Sequence, residues 1–240
     1  MNMPLHTDLS LVYRMPESGG RRQRLLVLCH GVGGNETNLL TLAAGASEDT
    51  AVALVRGPST LGPGQYAWFD VAFAPEGPRP DLVEADRSRQ QLAAFIAALQ
   101  GKVRIDATQT VVAGFSQGGI LGASVALTRP ELVAGFGVLA GRILPELEPQ
   151  LADRAALAQL RAFIGHGRDD TKLPVAWAQR ADAWLAHLGI PHEMRLYPGG
   201  TASHRRWPKI SFAGSGFCCR RMNPPGRCLM ENMRASLAVE

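Results

Sequence analysis

Two kinds of apolar pattern alternate along the first 200 residues of this 240-residue chain. Short continuous apolar runs predict buried β-strands, and apolar positions three and four residues apart predict helices. The predicted strands are residues 11–14, 25–29, 51–55, 110–115, 133–139, 161–164 and 193–197, and the predicted helices are residues 81–100, 119–127, 156–160 and 174–188. This alternation predicts an α/β fold with a mostly parallel central sheet, helices on both faces and no separate lid domain.

The segments between these elements carry weaker predictions. The Pro and Gly spacing of residues 56–70 predicts a long irregular loop, and residues 75–80 are expected to be a Pro-rich connection. Trp68 and Phe69, inside the first of these segments, either line an apolar substrate pocket or cover the core. Gly101 is expected to end the helix of residues 81–100.

Composition indicates a globular protein, because 46% of residues are hydrophobic and 19% are charged. No apolar run is long enough to span a bilayer, so no stable membrane insertion is expected. The first twenty residues lack a basic start followed by an apolar stretch, and a cytoplasmic location is therefore expected.

The basic charge is confined to the last forty residues. Residues 201–240 contain seven Lys/Arg and two acidic residues, although the whole chain has only four more basic than acidic residues. The prediction is a domain over residues 1–200 and an atypical basic tail over 201–240. Scattered arginines without a helix or an aromatic platform do not indicate a nucleic-acid site. Adjacent Cys218 and Cys219, with Cys228 and His204, do not fit zinc-ligand spacing, so no metal or cofactor is expected.

Residues 110–127, TVVAGFSQGGILGASVAL, combine a predicted strand, a Gly-x-Ser-x-Gly turn around Ser116 and a predicted helix. That order is typical of the nucleophile elbow of α/β-hydrolases. The sharp turn requires Gly114 and Gly118 because a Cβ at either position would clash with the neighbouring strand and helix. Ser116 at the helix N-terminus is thus a candidate nucleophile, since free amides and the helix dipole there favour developing negative charge.

The glycine-rich segment HGVGGNETN, residues 30–38, follows the predicted strand 25–29 directly. It has neither a Walker Lys-Ser/Thr ending nor a Gly-x-Gly-x-x-Gly fingerprint, which argues against phosphate binding. It is interpreted as an oxyanion loop with the Val32 amide directed at a reacting carbonyl, and a plain strand–helix turn is the alternative. Asn35 or Thr37 is expected to cap the helix that follows.

The chain resembles the phospholipase/carboxylesterase family, which includes bacterial carboxylesterases and acyl-protein thioesterases. The matching motifs are LCHGVGGN at 28–35, AWFD at 67–70, GFSQGG at 114–119, LAGRILP at 139–145 and HGRDDTKLP at 166–174. The resemblance implies Ser116 as nucleophile, Asp170 as the acid and an oxyanion hole formed by the amides of Val32 and Gln117. It also implies a small-molecule ester or acyl substrate, no cofactor and no nucleic acid, and it leaves the oligomeric state unknown.

The family's catalytic base is absent from its expected position. The resemblance places a histidine directly after the Tyr-Pro-x-Gly segment, but Tyr197–Gly200 is followed by Thr201. His204 is the only nearby substitute. The remaining histidines are expected to have other roles: His30 and His166 in turns, His187 on an exposed helix face, His192 at a strand start and His6 in the terminus.

A shift of reading frame is one explanation for the missing base. With suitable codons, residues 201–212 read one nucleotide earlier give His-Arg-Ile-Ala-Pro-x-x-Ala-x-Asp-Phe-x, which can continue as Arg-Trp-Leu. That restores a histidine after Gly200 and an amphipathic helix behind it. The hypothesis is that residues 201–240 are out-of-frame translation, and a natural basic tail is the alternative.

The sequence therefore predicts a serine hydrolase that cleaves carboxylic esters, with thioesters as a second substrate class, through an acyl-enzyme on Ser116. Its activity is expected to be impaired by the missing base. A non-catalytic binding protein of the same fold and a basic-tail interaction protein are the alternatives.

Overall fold

The fold is described from a computed structural model, which defines residues 11–14, 24–74 and 77–200. Eleven strands occur in these residues: β1 Leu11–Arg14, β2 Arg24–Cys29, β3 Thr50–Val55, β4 Ser59–Gly62, β5 Gln65–Ala67, β6 Val71–Ala74, β7 Gly77–Pro80, β8 Thr110–Phe115, β9 Gly135–Leu139, β10 Arg161–Gly167 and β11 His192–Tyr197. The five α-helices of the same part of the chain are α1 Leu40–Ala44, α2 Leu82–Val103, α3 Gln117–Thr128, α4 Arg154–Leu157 and α5 Ala176–Leu188.

Seven strands form the central sheet in the order β1-β3-β2-β8-β9-β10-β11. Strand β1 pairs antiparallel with β3, and every other neighbouring pair is parallel. The mostly parallel sheet predicted from the sequence is therefore confirmed. The continuous apolar runs in β2 and β3 are explained by burial on both faces, since every residue of β3 is buried.

Helices cover both faces of the sheet. Leu25 and Val27 of β2 belong to an apolar cluster that includes Phe95 of α2, Leu121 of α3 and Leu185 of α5. Their sequence neighbours in β2, which point to the opposite face, pack in a second cluster with α1. None of the helices in the described residues has the length and apolar character needed to cross a membrane.

The segment of residues 56–70 is not the irregular loop that was predicted. Strands β4 and β5 pair antiparallel in a hairpin within it, and an isolated bridge joins Gly34 to Tyr66 of β5. A second hairpin, β6–β7, replaces the predicted Pro-rich connection, although Pro75 lies outside the described residues. Proline is compatible with such short two-stranded pieces because not every strand N–H has to donate.

Two expected helix boundaries were also wrong. Helix α2 continues past Gly101 to Val103, and Arg104 takes the left-handed conformation (φ 56°) that ends it. Neither Asn35 nor Thr37 caps a helix, because α1 begins only at Leu40 and its N-cap residue makes no side-chain hydrogen bond. The Asn35 side chain instead accepts a hydrogen bond from the Thr37 backbone N–H at 2.9 Å and closes a turn.

Four neighbouring parallel strands, β2, β8, β9 and β10, end at the same edge of the sheet. The segments that follow them therefore lie next to one another: the glycine-rich loop after Cys29, Ser116, the segment from Ala140 and the loop from Arg168. Carboxyl edges of parallel sheets are where α/β proteins bind ligands.

Candidate active site

Ser116 lies between β8 and α3 in a conformation that is rare for a residue with a side chain. Its φ is 51° and its ψ is −116°. Its backbone N–H donates to the Leu139 carbonyl at 2.8 Å, which ties the turn to the end of β9. Strain of this kind costs about 1–3 kcal/mol and is retained where the surrounding structure enforces it. The turn thus holds the hydroxyl at the carboxyl edge of the sheet.

The glycines around Ser116 are required by close contact, as the sequence predicted. A Cβ on Gly118 would lie 2.1 Å from the Cys29 carbonyl oxygen, and one on Gly114 would lie 2.3 Å from the carbonyl carbon of Gly118. Backbone atoms cannot yield to such contacts, so α3 can pack against β2 and β8 only with glycine at both positions.

The glycine-rich loop after β2 lies against the serine. A Cβ on Gly31 would be 3.3 Å from the Ser116 Cβ. The next residue, Val32, is 44% exposed. The Val32 and Gln117 N–H groups donate to no acceptor among residues 11–14, 24–74 and 77–200. Both residues line the cleft that contains Ser116.

The Gln117 side chain fixes the segment before β6. Its Oε1 accepts from the Trp68 N–H at 2.8 Å, and its Nε2 donates to the Phe69 carbonyl at 2.6 Å. Gln117 is only 2% exposed, so both hydrogen bonds are shielded from water. This side chain links the elbow to the AWFD motif.

Of the two aromatic candidates for the substrate pocket, only Phe69 lines the cleft that contains Ser116. Trp68 is fully buried, and its Nε1 donates to the His30 carbonyl at 2.9 Å. The prediction that Trp68 lines the pocket is therefore corrected, and its role is to cover the core. The cleft has about 460 Å³ of space including its open mouth, and its apolar walls are Val32, Phe69, Val71, Ile120, Leu173 and Trp177.

His30 is held in a neutral form by its hydrogen bonds. The Gly57 N–H donates to Nε2 at 2.9 Å, so the proton is on Nδ1, which donates to the Gly31 carbonyl at 2.8 Å. Burial lowers the pKa of His30 because it disfavours the charged imidazolium. Both ring nitrogens are thus used in hydrogen bonds to the backbone, and His30 has the turn-stabilising role expected of it.

Asp170 lies in the loop after β10 and is 6% exposed. Its Oδ1 accepts from the Lys172 N–H at 3.0 Å and from the Leu173 N–H at 2.8 Å. Leu173 is also a wall of the cleft, so the same hydrogen bond connects Asp170 to the space around Ser116. The His166 imidazole is fully buried below it, with Nε2 donating to the Leu173 carbonyl at 2.8 Å.

Asp169 holds the segment that follows the last strand of the sheet. The Gly199 N–H donates to the Asp169 Oδ2 at 3.0 Å. A Cβ on Gly200 would lie 3.2 Å from the Asp169 carbonyl oxygen and 3.8 Å from the Asp170 Cα. The chain therefore leaves Gly200 directly beside Asp170. Thr201 and His204, the proposed substitute base, lie outside the described residues, as do the tail cysteines.

None of the four histidines in the described residues is available as a base for Ser116. His30 and His166 are buried, and they make the hydrogen bonds described above. His187 is exposed in the last turn of α5, and His192, which begins β11, contacts Asp182 through Nε2 at 3.2 Å. In this part of the chain there is also no group of three or more side chains that could bind a metal.

Sequence reasoning missed Arg142 and Trp177 as cleft residues. The Arg142 guanidinium carbon lies 4.5 Å from the centre of the Trp177 ring, and both side chains border the cleft. One clue was visible in the sequence: a lone cation in the apolar motif LAGRILP, directly after a strand that ends at the Ser116 edge.

The chain is similar to a known protein family and to several solved structures. Residues 14–210 match the sequence model of the phospholipase/carboxylesterase family. A carboxylesterase from Bacillus cereus is 24% identical, with 80% of this chain and 86% of that chain covered and a TM-score of 0.69. The esterase PE8 is 26% identical, with coverages of 81% and 91% and a TM-score of 0.70. A carboxylesterase from Mesorhizobium loti is 22% identical, with coverages of 84% and 92% and a TM-score of 0.70.

The three solved structures share the fold of this chain, and the α/β-hydrolase architecture expected from the sequence is thereby confirmed. The family match includes the glycine-rich loop, the elbow around Ser116 and the loop of Asp170. This chain belongs to the phospholipase/carboxylesterase family.

Proposed function

We propose that this chain hydrolyses carboxylic esters through an acyl-enzyme on Ser116, with thioesters as a second substrate class. The observation that carries the proposal is the strained Ser116 at the carboxyl edge of the sheet, with two unused amide N–H groups beside the same cleft. Family membership supports hydrolase chemistry in general, and the local geometry supports the roles proposed for the individual residues.

The proposed reaction has two steps. A base removes the Ser116 proton, and the oxygen attacks the ester carbonyl to give a tetrahedral oxyanion. The Val32 and Gln117 N–H groups donate to that oxyanion, and one such donor contributes about 3–4 kcal/mol to transition-state stabilisation. Collapse breaks the ester C–O bond, and the base returns its proton to the leaving alcohol. Water, deprotonated by the same base, then attacks the acyl-enzyme, and collapse releases the acid and regenerates the Ser116 hydroxyl.

Asp170 is proposed to orient the base. Two backbone N–H groups hold its carboxylate from the Leu173 side, and the chain after Gly200 begins next to it. A histidine immediately after Gly200 would thus start beside its acid, which is the arrangement that the triad requires. This geometry supports the hypothesis that residues 201–240 are read in the wrong frame.

We call the 240-residue chain with its present residues 201–240 the printed chain. For this chain we expect weak activity. His204 is four residues past Gly200, so its approach to Ser116 would differ in register from that of a residue at position 201. Loss of one triad member leaves about 10³–10⁴-fold catalysis over water, from the oxyanion hole and binding. A non-catalytic binding protein is the second candidate, favoured by the lack of an available base among residues 24–74 and 77–200.

Labelling with a fluorophosphonate probe tests the proposal. The frame-restored chain, defined as residues 1–200 followed by the other reading frame from His-Arg-Ile-Ala-Pro onward, should be labelled rapidly. The printed chain should be labelled slowly, and mass spectrometry should locate the adduct on Ser116 in both. The Ser116→Ala variant should remain unlabelled. An absence of labelling in both chains would favour the binding protein, and labelling that survives Ser116→Ala would exclude Ser116 as the nucleophile.

A further inference from the structure

Arg142 is a cation in the wall of an otherwise apolar cleft. It borders the same space as Ser116, Phe69 and Ile120. It reaches this position because β9 ends beside the elbow: a Cβ on Gly141, the residue before it, would lie 2.9 Å from the Ser116 carbonyl oxygen. The backbone thus places Arg142 one residue away from direct contact with the nucleophile turn.

The protein partners of this guanidinium are neutral. One of its terminal nitrogens donates to the Pro78 carbonyl at 3.2 Å, and the group stacks on the Trp177 ring. No carboxylate among the described residues lies within 4 Å of it. Most of the five N–H donors of the guanidinium therefore have no protein acceptor in this part of the chain.

Such an arrangement is unfavourable for the free protein. Burial lowers the pKa of Arg142, and the exposed Glu146 only partly offsets this effect. Arginine nevertheless stays protonated at neutral pH, so the charge remains in the cleft. A cation placed among apolar walls is stabilised most by an anion with the matching planar geometry, and a carboxylate accepts two parallel N–H bonds from arginine.

We infer that Arg142 determines specificity by binding a carboxylate carried by the substrate, so that the preferred esters are anionic. The inference rests on the proposed function of Ser116 and specifies its substrate class. The carboxylate can belong to the acyl part, as in a half-ester of a dicarboxylic acid, or to the leaving alcohol. Trp177 holds the guanidinium plane, and the Pro78 carbonyl fixes one edge of it, so the remaining donors are preorganised for the anion.

Hydrolysis by the frame-restored chain gives the first test. The acyl-side pair is mono-p-nitrophenyl glutarate and p-nitrophenyl pentanoate, and the alcohol-side pair is 4-acetoxybenzoate and phenyl acetate. In one of the two pairs, Arg142→Gln should lower kcat/KM for the anionic ester at least tenfold and change that for the neutral ester less than threefold. Arg142→Lys should give an intermediate kcat/KM for the anionic ester, since lysine keeps the positive charge but lacks the two parallel N–H donors of the guanidinium. Arg129→Gln, at an exposed site, is the matched control.

If Arg142→Gln lowers kcat/KM equally for the anionic and the neutral esters, Arg142 has a purely structural role and the inference is overturned. The inference is also overturned if the ratio of kcat/KM for the anionic ester to that for the neutral ester is unchanged in both pairs. Calorimetric binding of pentanoate and of its neutral analogue pentanamide to the printed chain separates this result from failure of the proposed function. Pentanoate should bind more tightly, and Arg142→Gln should remove the difference. If that holds while no ester is hydrolysed, the anion site stands and the hydrolase proposal fails. Hydrolysis without any Arg142-dependent preference overturns the anion site alone.

Discussion

At the scale of single residues, the backbone of Ser116 and the side chain of Gln117 both fix the position of the turn between β8 and α3. The strained serine is held by glycine contacts and by the Leu139 carbonyl. The Gln117 side chain uses both its acceptor and its donor on the backbone of Trp68 and Phe69. The amide proposed for the oxyanion hole therefore belongs to a residue whose side chain is fixed in the core.

Replacement of Gln117 by methionine tests this link. The buried Trp68 N–H and Phe69 carbonyl would lose their partners, and each unsatisfied group costs about 1–3 kcal/mol. We expect a free energy of unfolding lower by about 2–4 kcal/mol, measured by urea denaturation. Gln159→Met, at an exposed site, is the control and should change the value by less than about 0.5 kcal/mol. Equal stabilities of the two variants would contradict the role given to Gln117.

At the scale of elements, an ion pair fastens the glycine-rich loop to the central sheet. Arg56, at the end of β3, donates through Nε to the Glu36 Oε2 at 2.7 Å and through a terminal nitrogen to Oε1. The same guanidinium stacks on Tyr66 of the β4–β5 hairpin, which pairs with Gly33 and Gly34 of the loop. One side chain thus joins three elements around the proposed oxyanion site.

The pH dependence of stability should report this pair. The hydrogen bond from Arg56 lowers the pKa of Glu36 below its ordinary value of 4.5. A carboxyl group with a lowered pKa in the folded state stabilises the protein above its unfolded pKa, and the contribution is lost as the pH falls through the folded pKa. Glu36→Gln should cost about 1–3 kcal/mol at pH 7, and the difference from the unaltered chain should shrink below about pH 4.5.

Urea denaturation at pH 7, 4 and 3 measures this difference. Glu131→Gln is the matched control, because its pair with Arg129 is exposed and should contribute less than about 1 kcal/mol. A difference for Glu36→Gln that stays constant from pH 7 to pH 3 would contradict the assignment.

Elements with strong local patterns could be predicted from the sequence, and those fixed by distant contacts could not. Residues 110–128 have the strand, turn and helix order of the elbow, and only glycine fits beside Ser116. The β4–β5 hairpin escaped prediction because its pairing with Gly34 is non-local. Gly101 faces open space, so its missing side chain leaves the helix intact there, and α2 ends two residues later at Val103. Arg142 was missed because only the folded chain brings it next to Trp177.

At the scale of the whole molecule, the proposed functional residues lie at the carboxyl edge of the central sheet. The described part of the chain ends at the same edge. Strands β2, β8, β9 and β10 place the glycine-rich loop, Ser116, Arg142 and Leu173 around one cleft, and the Leu173 N–H donates to Asp170. The last strand, β11, ends at Tyr197, and the chain then reaches Gly200 beside Asp170. We propose that the base lies in the segment that follows Gly200 in the other reading frame.

Hydrolysis of p-nitrophenyl butyrate by the printed chain and by the frame-restored chain tests that assignment most directly. Both chains share residues 1–200, so they differ only beyond Gly200. We predict a kcat/KM at least about 100-fold higher for the frame-restored chain, because a restored general base typically contributes 10²–10⁴-fold. Ser116→Ala should abolish the gain. Equal rates for the two folded chains would contradict the assignment.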